Sequence, residues 1–440
     1  MTSPSANRHT DREAIVRLDR THVWHPYTPM DSWEHADPIV VARASGAWLE
    51  DVDGRRYLDG NSSWYVAVLG HGHPRLLHAM QEQAAVLAHC SLAGVTHEPA
   101  ARLAEELLAT APRGLTRVFY VDDGSTAVDA AVKMCAQAWR QLGAPKKTRF
   151  VALDGAFHGD TVGATSLGGV PVFRRPYSSV TFECVHVPFP EAGAYDRAFD
   201  AIGRSLREHG DAIAAVFVEP VVQGAGGMRM YDPAFLRELR ALCDAHDVFL
   251  VADEVFTGYG RTGPMWACEH AGISPDLMCV GKAFSAIVPM GAVLASERVF
   301  SAFRGDRDRA FLHGHTFCGN PLGAALAREV LAIYRDEQVL ARAAGHARAI
   351  AGAFQRIAGI AGVARVRHLG MIGAADLVDP TPGYLGGVGW RVYDEARKRG
   401  AYLRPLGSTV YVTPPLTIAP GELEQLLAIL EESVRVVIST

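Results

Sequence analysis

Residues 248–255 read VFLVADEV, and residues 275–282 read PDLMCVGK. Each stretch is a short apolar run with one ionisable side chain at or just after its end, Asp253 in the first and Lys282 in the second. Such runs predict buried parallel strands whose two faces are covered by helices. Residues 258–263 read GYGRTG and indicate a loop between them. The pattern predicts an open α/β sheet with an acid and an amine at its carboxyl edge, where ligands bind in such folds.

An aspartate and a lysine at one sheet edge have two explanations. They form an ion pair, or Asp253 caps a helix beside an unrelated surface lysine. Alternatively they bind pyridoxal phosphate (PLP), where a buried Lys282 loses its proton and forms a Schiff base while the aspartate pairs with the pyridinium nitrogen. The two residues alone favour the first explanation, so the remaining strand ends decide.

The overall composition excludes several classes of protein. The 440 residues are 49% hydrophobic and 21% charged, with a formal net charge of -5, which disfavours nucleic acid as the main partner. No segment approaches the roughly 20 apolar residues of a membrane span, and residues 1–13 form a polar tail without an apolar signal core. We therefore expect a soluble, cytoplasmic protein.

The cysteines and histidines do not predict a metal site. The seven cysteines are scattered, odd in number and without a C-x-x-C pair, so neither a disulfide framework nor structural zinc is indicated. His71 and His73, and likewise His313 and His315, are two residues apart without a carboxylate at ligand spacing. Turn and supporting roles are the expected ones for these histidines.

Strands and helices alternate from residue 117 onward, which predicts a parallel sheet with crossover helices. The predicted strands are 117–121, 149–153, 213–218, 248–252, 276–280 and 291–295. After residue 312 the pattern changes to two long helices, strands at 363–369 and 371–377, a helix, a strand pair near 402–412 and a final helix. Residues 47–59 predict a hairpin that turns at Asp53-Gly54. We expect an N-terminal segment (1–60) that joins a C-terminal small domain (321–440), and a large domain (61–320) between them.

Two further strand ends suit an anion and a planar ring. Residues 122–126 read DDGST and lie between a strand and a helix, an arrangement that binds phosphate through free N–H groups. The simpler alternative is that Asp123 or Ser125 only caps the helix. Phe157 and His158 follow the next strand, where an aromatic side chain either stacks on a ring or packs under a loop.

Three more positions carry polar groups at the ends of predicted elements. Glu219 closes the strand at 213–218 and precedes a glycine-rich loop. Residues 314–321 open a helix and supply hydroxyl and N–H donors. Arg404 ends an apolar strand, where its fork-shaped guanidinium suits either a substrate carboxylate or a surface ion pair. Together these groups fit one ligand and favour the cofactor explanation.

With these motifs the chain resembles the class III aminotransferases, which are PLP enzymes of fold type I. Residues 253–255, 258–263 and 281–282 carry the family signature, and the likeness runs from about Trp24 to the C-terminus. The resemblance implies an α/β PLP-dependent transferase fold of type I, with a mainly parallel central sheet in the large domain and a small α+β domain.

The closer likeness is to the branch that aminates 8-amino-7-oxononanoate to 7,8-diaminononanoate in biotin biosynthesis, usually with S-adenosylmethionine as donor. It is carried by residues 24–27, 62–65, 70–74, 133–134, 222–228 and 404–407.

The resemblance also implies roles for individual residues. Lys282 and Asp253 would be catalytic, with PLP held on Lys282 and its ring nitrogen paired with Asp253. The positions implied for cofactor binding are Gly124, Ser125, Phe157, His158, Glu219, Asp253, Lys282 and, from the second subunit of a homodimer with shared active sites, Thr316. The positions implied for the small-molecule substrates are Tyr27, Trp64, Tyr65 and Arg404, the last facing the carboxylate of the keto acceptor.

Four departures from the family pattern leave the substrates open. Asp123 replaces a usual Ser or Asn near the phosphate, and Phe157 replaces a usual Tyr near the substrate. Residues 283–287 replace a glycine-rich run, and residues 163–170 resemble the branch that uses lysine as donor. The donor is therefore S-adenosylmethionine or lysine. The alternatives are another class III ω-aminotransferase for diamines or ω-amino acids, and a PLP-binding protein without turnover.

Overall fold

Strands and helices alternate along most of the chain, in a computed structural model that describes residues 11–191, 193–381 and 383–439. The strands are β1 (Val41–Ser45), β2 (Trp48–Asp51), β3 (Arg56–Asp59), β4 (Leu115–Val121), β5 (Arg149–Leu153), β6 (Cys184–Val187), β7 (Ile213–Val218), β8 (Val222–Gln223), β9 (Arg229–Met230), β10 (Phe249–Asp253), β11 (Leu277–Val280), β12 (Gly291–Ser296), β13 (Val363–Leu369), β14 (Ile372–Leu377), β15 (Ala401–Tyr402) and β16 (Thr409–Val412).

Helices connect these strands and cover the sheets. They are α1 (Arg12–His22), α2 (Met30–His35), α3 (Ser62–Tyr65), α4 (Pro74–Val86), α5 (Glu98–Thr110), α6 (Gly124–Gln141), α7 (Val162–Leu167), α8 (Pro171–Arg174), α9 (Asp196–His209), α10 (Pro233–Ala245), α11 (Glu297–Ser301), α12 (Pro321–Asp336), α13 (Val339–Ala358), α14 (Val388–Lys398) and α15 (Pro420–Ser439). Short 3-10 turns lie at Arg175–Tyr177, Ala267–His270, Lys282–Phe284 and Arg307–Arg309.

The central sheet has the strand order β4-β12-β11-β10-β7-β5-β6. β10 pairs in parallel with β7 and β11, with Asp253 opposite Cys279, whereas β12 runs antiparallel to both of its neighbours. Every residue of β7, β10 and β11 is buried, because layers of helices cover both faces of a sheet of this kind. The prediction of a mainly parallel sheet is confirmed, and the two apolar runs are adjacent strands.

The edge strand β6 was not among the predicted strands. It has four residues, and only its first and last are fully buried. An edge strand needs little apolar surface, so it lacks the continuous hydrophobic run by which the central strands were recognised.

Two smaller sheets join distant parts of the chain. The hairpin predicted around Asp53-Gly54 is confirmed, since β2 and β3 pair antiparallel. The strand pair predicted near 402–412 is wrong. β15 pairs with β3 and β16 pairs with β14, because the turn before Thr409, with Gly407 at φ 60°, sends the chain from one sheet to the other.

The predicted polar tail at residues 1–13 lies largely outside the described residues. Arg12 and Glu13, however, already belong to α1, which Asp11 caps by accepting a hydrogen bond from the Ala14 N–H at 3.1 Å. Among the described residues, no helix is both long enough and apolar enough to cross a bilayer.

Candidate active site

The loops that follow β4, β5, β7, β10 and β11 border a cavity of about 430 Å³. These strands run in one direction, so their carboxyl ends meet at one edge of the sheet. The predicted site residues that line the cavity are Tyr27, Trp64, Tyr65, Gly124, Ser125, Phe157, His158, Glu219, Asp253, Lys282 and Arg404. Thr316 is the one predicted position that does not line it.

Asp253 is a buried carboxylate with two polar contacts. Its Oδ2 lies 2.7 Å from Nδ1 of His158, and its Oδ1 accepts a hydrogen bond from the Val255 N–H at 3.1 Å. Burial alone would lower the pKa of His158, but the hydrogen bond and charge of Asp253 outweigh it and raise that pKa. A paired carboxylate of this kind suits a protonated ring nitrogen. Asp253 and His158 therefore form a buried carboxylate–imidazole pair, and both residues line the cavity.

Glu219 holds the backbone beside Phe157. Its two oxygens accept hydrogen bonds from the N–H groups of Phe157, at 2.9 Å, and Gly224, at 2.8 Å. Burial raises the pKa of Glu219 to about 7, although the neighbouring His158 opposes the shift. Near neutral pH this carboxyl group thus exists in both protonation states.

Lys282 follows β11 and points its amine into the cavity. Its Nζ lies 5.2 Å from the ring centre of Tyr65 and 5.9 Å from that of Phe256. Burial lowers the pKa of the amine, while Asp253, Glu219 and Asp160 act in the opposite direction. No carboxylate of the described residues lies within ion-pair distance of this Nζ, so the ion-pair explanation of Asp253 and Lys282 is not supported. A lysine amine whose pKa is lowered by burial is the kind of nucleophile that covalent carbonyl chemistry needs.

In the described part of the chain, the N-terminus of α6 has two unpaired N–H groups that can bind an anion. Within the described residues, the N–H groups of Gly124 and Ser125 have no hydrogen-bond acceptor, and free N–H groups at a helix start attract phosphate. A Cβ at Gly124 would lie 2.4 Å from Val255, and one at Gly159, where φ is 126°, would lie 2.3 Å from Ser125 Oγ. Glycine at these two positions allows the close approach that forms the cradle.

Asp123 is the N-cap of α6, as the simpler interpretation predicted. Its Oδ1 accepts a hydrogen bond from the Thr126 N–H at 2.8 Å, and Thr126 Oγ1 accepts one from the Asp123 N–H at 2.9 Å. This reciprocal cap occupies the carboxylate. The N–H groups of Gly124 and Ser125 take no part in the cap, so they stay available to an anion.

Arg404, which also lines the cavity, lies between two indole rings. Its guanidinium carbon is 5.3 Å from the Trp64 ring centre and 5.4 Å from that of Trp390. Cation–π contacts of this kind hold a guanidinium in place while leaving its N–H groups free to bind a carboxylate. Trp390, on α14, was not predicted from the sequence.

Aromatic side chains from separate segments form the wall beside Phe157. Phe173 packs against Phe157, Tyr27 and Tyr384, with ring centres 5.5, 5.6 and 4.7 Å apart. The Tyr27 hydroxyl donates a hydrogen bond to Asp160. Burial and this hydrogen bond raise the pKa of Tyr27, so its hydroxyl keeps its proton.

Trp64 and Tyr65 are presented by an unusual turn, α3. Ser62, Ser63, Trp64 and Tyr65 have φ values of 48°, 44°, 58° and 72°, the left-handed region that non-glycine residues rarely adopt. At about 1–2 kcal/mol for each residue, the turn costs on the order of 4–8 kcal/mol. Its surroundings must offset that cost. The Tyr65 hydroxyl, for example, lies 3.0 Å from the Tyr411 hydroxyl.

Several cavity residues escaped the sequence analysis. Those that line the cavity include Asp160, Phe173, Phe256, Ile287, Met290, Tyr384 and Tyr411. Asp160 directly follows the predicted Phe157-His158-Gly159 and could have been included on that ground. Phe173 lies on the short helix α8 and Tyr384 in a loop, and neither has a local sequence signal. Ile287 belongs to residues 283–287, which replace the glycine-rich run of the family, whereas Met290 lies outside that range.

Thr316 lies in an exposed turn away from the cavity of its own chain. In that turn His315 Nδ1 lies 2.9 Å from an oxygen of Asp122, and the His315 N–H donates to Cys318 Sγ at 3.0 Å. The side-chain ligand atoms of these three residues lie within 4.8 Å of one another. The His315 carbonyl accepts a hydrogen bond from the Cys318 N–H at 3.2 Å, so His315 has the turn role that was predicted for it.

The comparison with known proteins identifies the family. The profile described as "Aminotransferase class-III" matches residues 30–434. The chain belongs to the class III aminotransferases. These enzymes depend on PLP, and the free amine, the paired carboxylate and the helix N-terminus described above are the groups that such a cofactor requires.

Individual class III aminotransferases match almost the whole chain. The adenosylmethionine-8-amino-7-oxononanoate aminotransferase of Geobacter sulfurreducens is 38% identical, covering 97% of this chain and 98% of its own length. That of Synechococcus elongatus is 42% identical, covering 92% and 97%. The crystal structure of the Methanocaldococcus jannaschii aminotransferase of the same name has a TM-score of 0.93 at 29% identity, covering 97% and 99%. An omega transaminase from Pseudomonas jessenii in complex with PMP has a TM-score of 0.91 at 28% identity, covering 97% and 98%.

Proposed function

We propose that this class III aminotransferase transfers an amino group to 8-amino-7-oxononanoate and forms 7,8-diaminononanoate, a step of biotin biosynthesis. The observation that carries the proposal is the near full-length similarity to enzymes named for this substrate. The cavity supports it, because Arg404 and Lys282 line the same cavity and Arg404 offers a site for the carboxylate of a keto acid.

The cofactor half of the cavity is assigned to PLP. Gly124 and Ser125 would bind the phosphate, Asp253 the ring nitrogen, and Phe157 one face of the ring. His158 would support Asp253, and Glu219 would hold the Phe157 backbone. Bound PLP supplies an aldehyde that accepts the amino group and a ring that withdraws electrons from the carbon that carries it.

Lys282 and Asp253 carry the catalytic roles in this proposal. Burial lowers the pKa of Lys282, which favours the neutral Nζ that would attach the cofactor. Once released, this Nζ would take a proton from the donor carbon and deliver it to the cofactor carbon that carries the nitrogen, and in the second half-reaction it would move a proton from that carbon to the acceptor carbon. Asp253 would keep a proton on the ring nitrogen. Tyr27, Trp64 and Tyr65 would exclude water and orient the acceptor, with Arg404 at its carboxylate.

Replacing Lys282 tests the assignment. Lys282→Ala is expected to lower turnover by at least about 10⁴-fold, because both the attachment point and the proton carrier are lost. Borohydride treatment followed by peptide mass spectrometry should find PLP attached to the Lys282 peptide of the natural protein and to no peptide of the variant. Attachment at another lysine would refute the site.

The donor is assigned by a direct comparison. Purified enzyme is incubated with 8-amino-7-oxononanoate and either S-adenosylmethionine or L-lysine, and diaminononanoate is measured by mass spectrometry. Product with one donor only identifies the donor.

A second candidate function is that of an ω-aminotransferase for diamines or ω-amino acids. The loss of a hydroxyl at Phe157, in a cavity that is largely aromatic, favours it. If simple ω-amines react with pyruvate while 8-amino-7-oxononanoate is not aminated, this alternative replaces the first. Rescue of a biotin auxotroph would exclude both it and a PLP-binding protein without turnover.

We further propose that the protein is a homodimer with shared active sites. Apolar side chains around the Thr316 turn are solvent-exposed, including Leu312 (89%) and Phe317 (58%), and exposed apolar surface marks interfaces. In a dimer, Thr316 of the partner subunit would complete the phosphate site. Phe317→Asp should then give monomers in light scattering together with weaker PLP retention, whereas a monomeric natural protein would contradict the proposal.

The division into residues 1–60, 61–320 and 321–440 and a cytoplasmic location also remain proposals. The sheet that joins β1, β2 and β3 to β15 supports the link between the first and third parts. Seven free cysteines are compatible with a reducing compartment. Limited proteolysis and cell fractionation test these two points.

A further inference from the structure

Asp59 is a fully buried carboxylate at the end of β3 that does not line the cavity. Its Oδ1 accepts a hydrogen bond from the Asn61 N–H at 3.2 Å. Its Oδ2 accepts one from the Ser63 hydroxyl at 2.8 Å and lies 2.9 Å from Nε2 of His71. A buried carboxylate requires such partners. Among the described residues, no lysine or arginine forms an ion pair with Asp59. Its partners Asn61, Ser63 and His71 lie before, within and after α3.

The contact with Ser63 connects Asp59 to the left-handed turn. Ser63 is the second residue of α3 and immediately precedes Trp64, and both have positive φ. The neighbouring Ser62 hydroxyl donates to the carbonyl of Thr413 at 2.6 Å. These two hydroxyl bonds anchor the turn from opposite sides, and the Asp59 bond is the charge-assisted one and therefore the stronger.

The contact with Asn61 connects Asp59 to Arg404. The Asn61 backbone N–H donates to Asp59, while its side-chain Oδ1 accepts a hydrogen bond from the Arg404 backbone N–H at 2.7 Å. β15 also lies beside β3, with Tyr402 opposite Asp59. Asp59 thus binds Ser63, the residue before Trp64, and it also binds Asn61, whose side chain binds the Arg404 backbone. The guanidinium carbon of Arg404 lies 5.3 Å from the Trp64 ring centre.

We propose that Asp59 is a positioning residue that sets the Trp64–Arg404 pair for the carboxylate of the acceptor. The inference extends the proposed function and takes from it only that the acceptor ends in a carboxylate. Asp59 accepts hydrogen bonds from the Asn61 N–H and the Ser63 hydroxyl, and its Oδ2 also lies 2.9 Å from the His71 ring nitrogen, so its two oxygens serve three contacts. An asparagine there would remove the charge and put an NH₂ group in the place of one oxygen, so the charge-assisted bond from Ser63 would be lost or reversed.

The test measures ligand binding to the PLP-loaded enzyme without any turnover. Nonanoate carries a carboxylate on a nine-carbon chain, and 1-nonanol has the same chain without the charge. Dissociation constants for both are measured by isothermal titration calorimetry. For Asp59→Asn and Ser63→Ala, nonanoate binding is expected to weaken about tenfold, which corresponds to the loss of one charge-assisted contact, while nonanol binding changes less than about twofold.

Two further variants separate positioning from general damage. Ser63→Asn keeps a hydrogen-bond donor in a residue type that tolerates positive φ and should restore most of the nonanoate affinity. Asp51→Asn is the matched control, since Asp51 is also buried and accepts hydrogen bonds from the N–H groups of Asp53 and Arg55 and from the Tyr57 hydroxyl, but lies in the hairpin turn. It should leave the preference for nonanoate over nonanol unchanged even where it lowers the melting temperature.

Three results would overturn the inference. They are an unchanged nonanoate affinity in both variants, an equal loss for nonanoate and nonanol, and no carboxylate preference in the natural protein. If Asp59→Asn does not fold, Ser63→Ala decides alone. Failure of the proposed function has a different signature, because an enzyme that does not aminate 8-amino-7-oxononanoate can still bind nonanoate in a manner that depends on Asp59.

Discussion

The two halves of the cavity are built in different ways. The cofactor floor consists of Gly124, Ser125, His158, Glu219, Asp253 and Lys282, which all lie within a few residues of a strand end in one sheet. The substrate wall consists of Tyr27, Trp64, Tyr65, Phe173, Tyr384 and Arg404, which come from separate segments. Three residues of the wall, Tyr27, Trp64 and Tyr65, have a left-handed backbone conformation, whereas among the floor residues just named only Lys282 has one. The reacting groups thus depend on regular structure, and the shape around the substrate depends on strained loops held by side-chain contacts.

The largest expected effect is at the floor, in Asp253→Ala. Turnover should fall by about 10²–10⁴-fold, because no carboxylate would then keep the cofactor ring protonated, while PLP stays bound through Lys282 and the α6 N-terminus. The pKa of His158, which the Asp253 hydrogen bond raises, should fall in an NMR titration. Full activity in this variant would mean that Asp253 is not one of the reacting groups, and the functional difference between floor and wall would not hold.

A pH test at Glu219 also addresses the floor. Burial raises the pKa of this carboxyl from 4.5 to about 7, so the folded protein holds a proton that the unfolded chain releases earlier. The resulting stabilisation is complete below pH 4.5 and is lost as pH rises through 7. Glu219→Gln does not titrate. Relative to the natural protein, its free energy of unfolding should improve by about 2–3 kcal/mol between pH 5 and pH 9, measured by urea denaturation without cofactor. A pH-independent difference would contradict the assigned shift.

Arg404→Gln probes the wall. The KM for the keto acceptor should rise by roughly 10–100-fold, since a charge-assisted contact is lost, while the half-reaction with hexylamine, which has no carboxylate, should change little. Steady-state and single-turnover kinetics separate the two. An equal loss in both reactions would mean that Arg404 supports the floor as well.

Phe157→Tyr is expected to have the smallest effect. The ring still packs against Phe173, and the added hydroxyl would enter a cavity that already has polar groups. Turnover of 8-amino-7-oxononanoate should change by less than about threefold, because an exposed or water-satisfied hydroxyl contributes little. A large gain in turnover of 8-amino-7-oxononanoate would show that the natural Phe157 selects against this acceptor. That result would favour the alternative function of an ω-aminotransferase.

Residues of the cofactor floor were easier to predict from the sequence than residues of the substrate wall. Asp253, Lys282 and Glu219 were found from the sequence because an apolar run with a polar end is a local pattern. Arg404 was found in the same way, at the end of an apolar strand, but there a surface ion pair was an equal alternative, and Trp64 was found only through family resemblance. Phe173, Tyr384 and Trp390 were missed, since Phe173 lies on a four-residue helix, Tyr384 in a loop and Trp390 on α14, and their partners in the cavity are distant in sequence. The strand pair near 402–412 was wrong for that reason too, because local apolar character does not reveal which sheet a strand joins.

By itself the sequence determined that a mainly parallel sheet would bring an acid, an amine and an anion site to one edge, because strands linked by crossover helices all end on the same side. Only the tertiary structure decided that β15 would join β3, that a left-handed turn would face Arg404, and that Asp59 would connect them. These contacts join residues hundreds of positions apart, and their geometry depends on packing that no local pattern records.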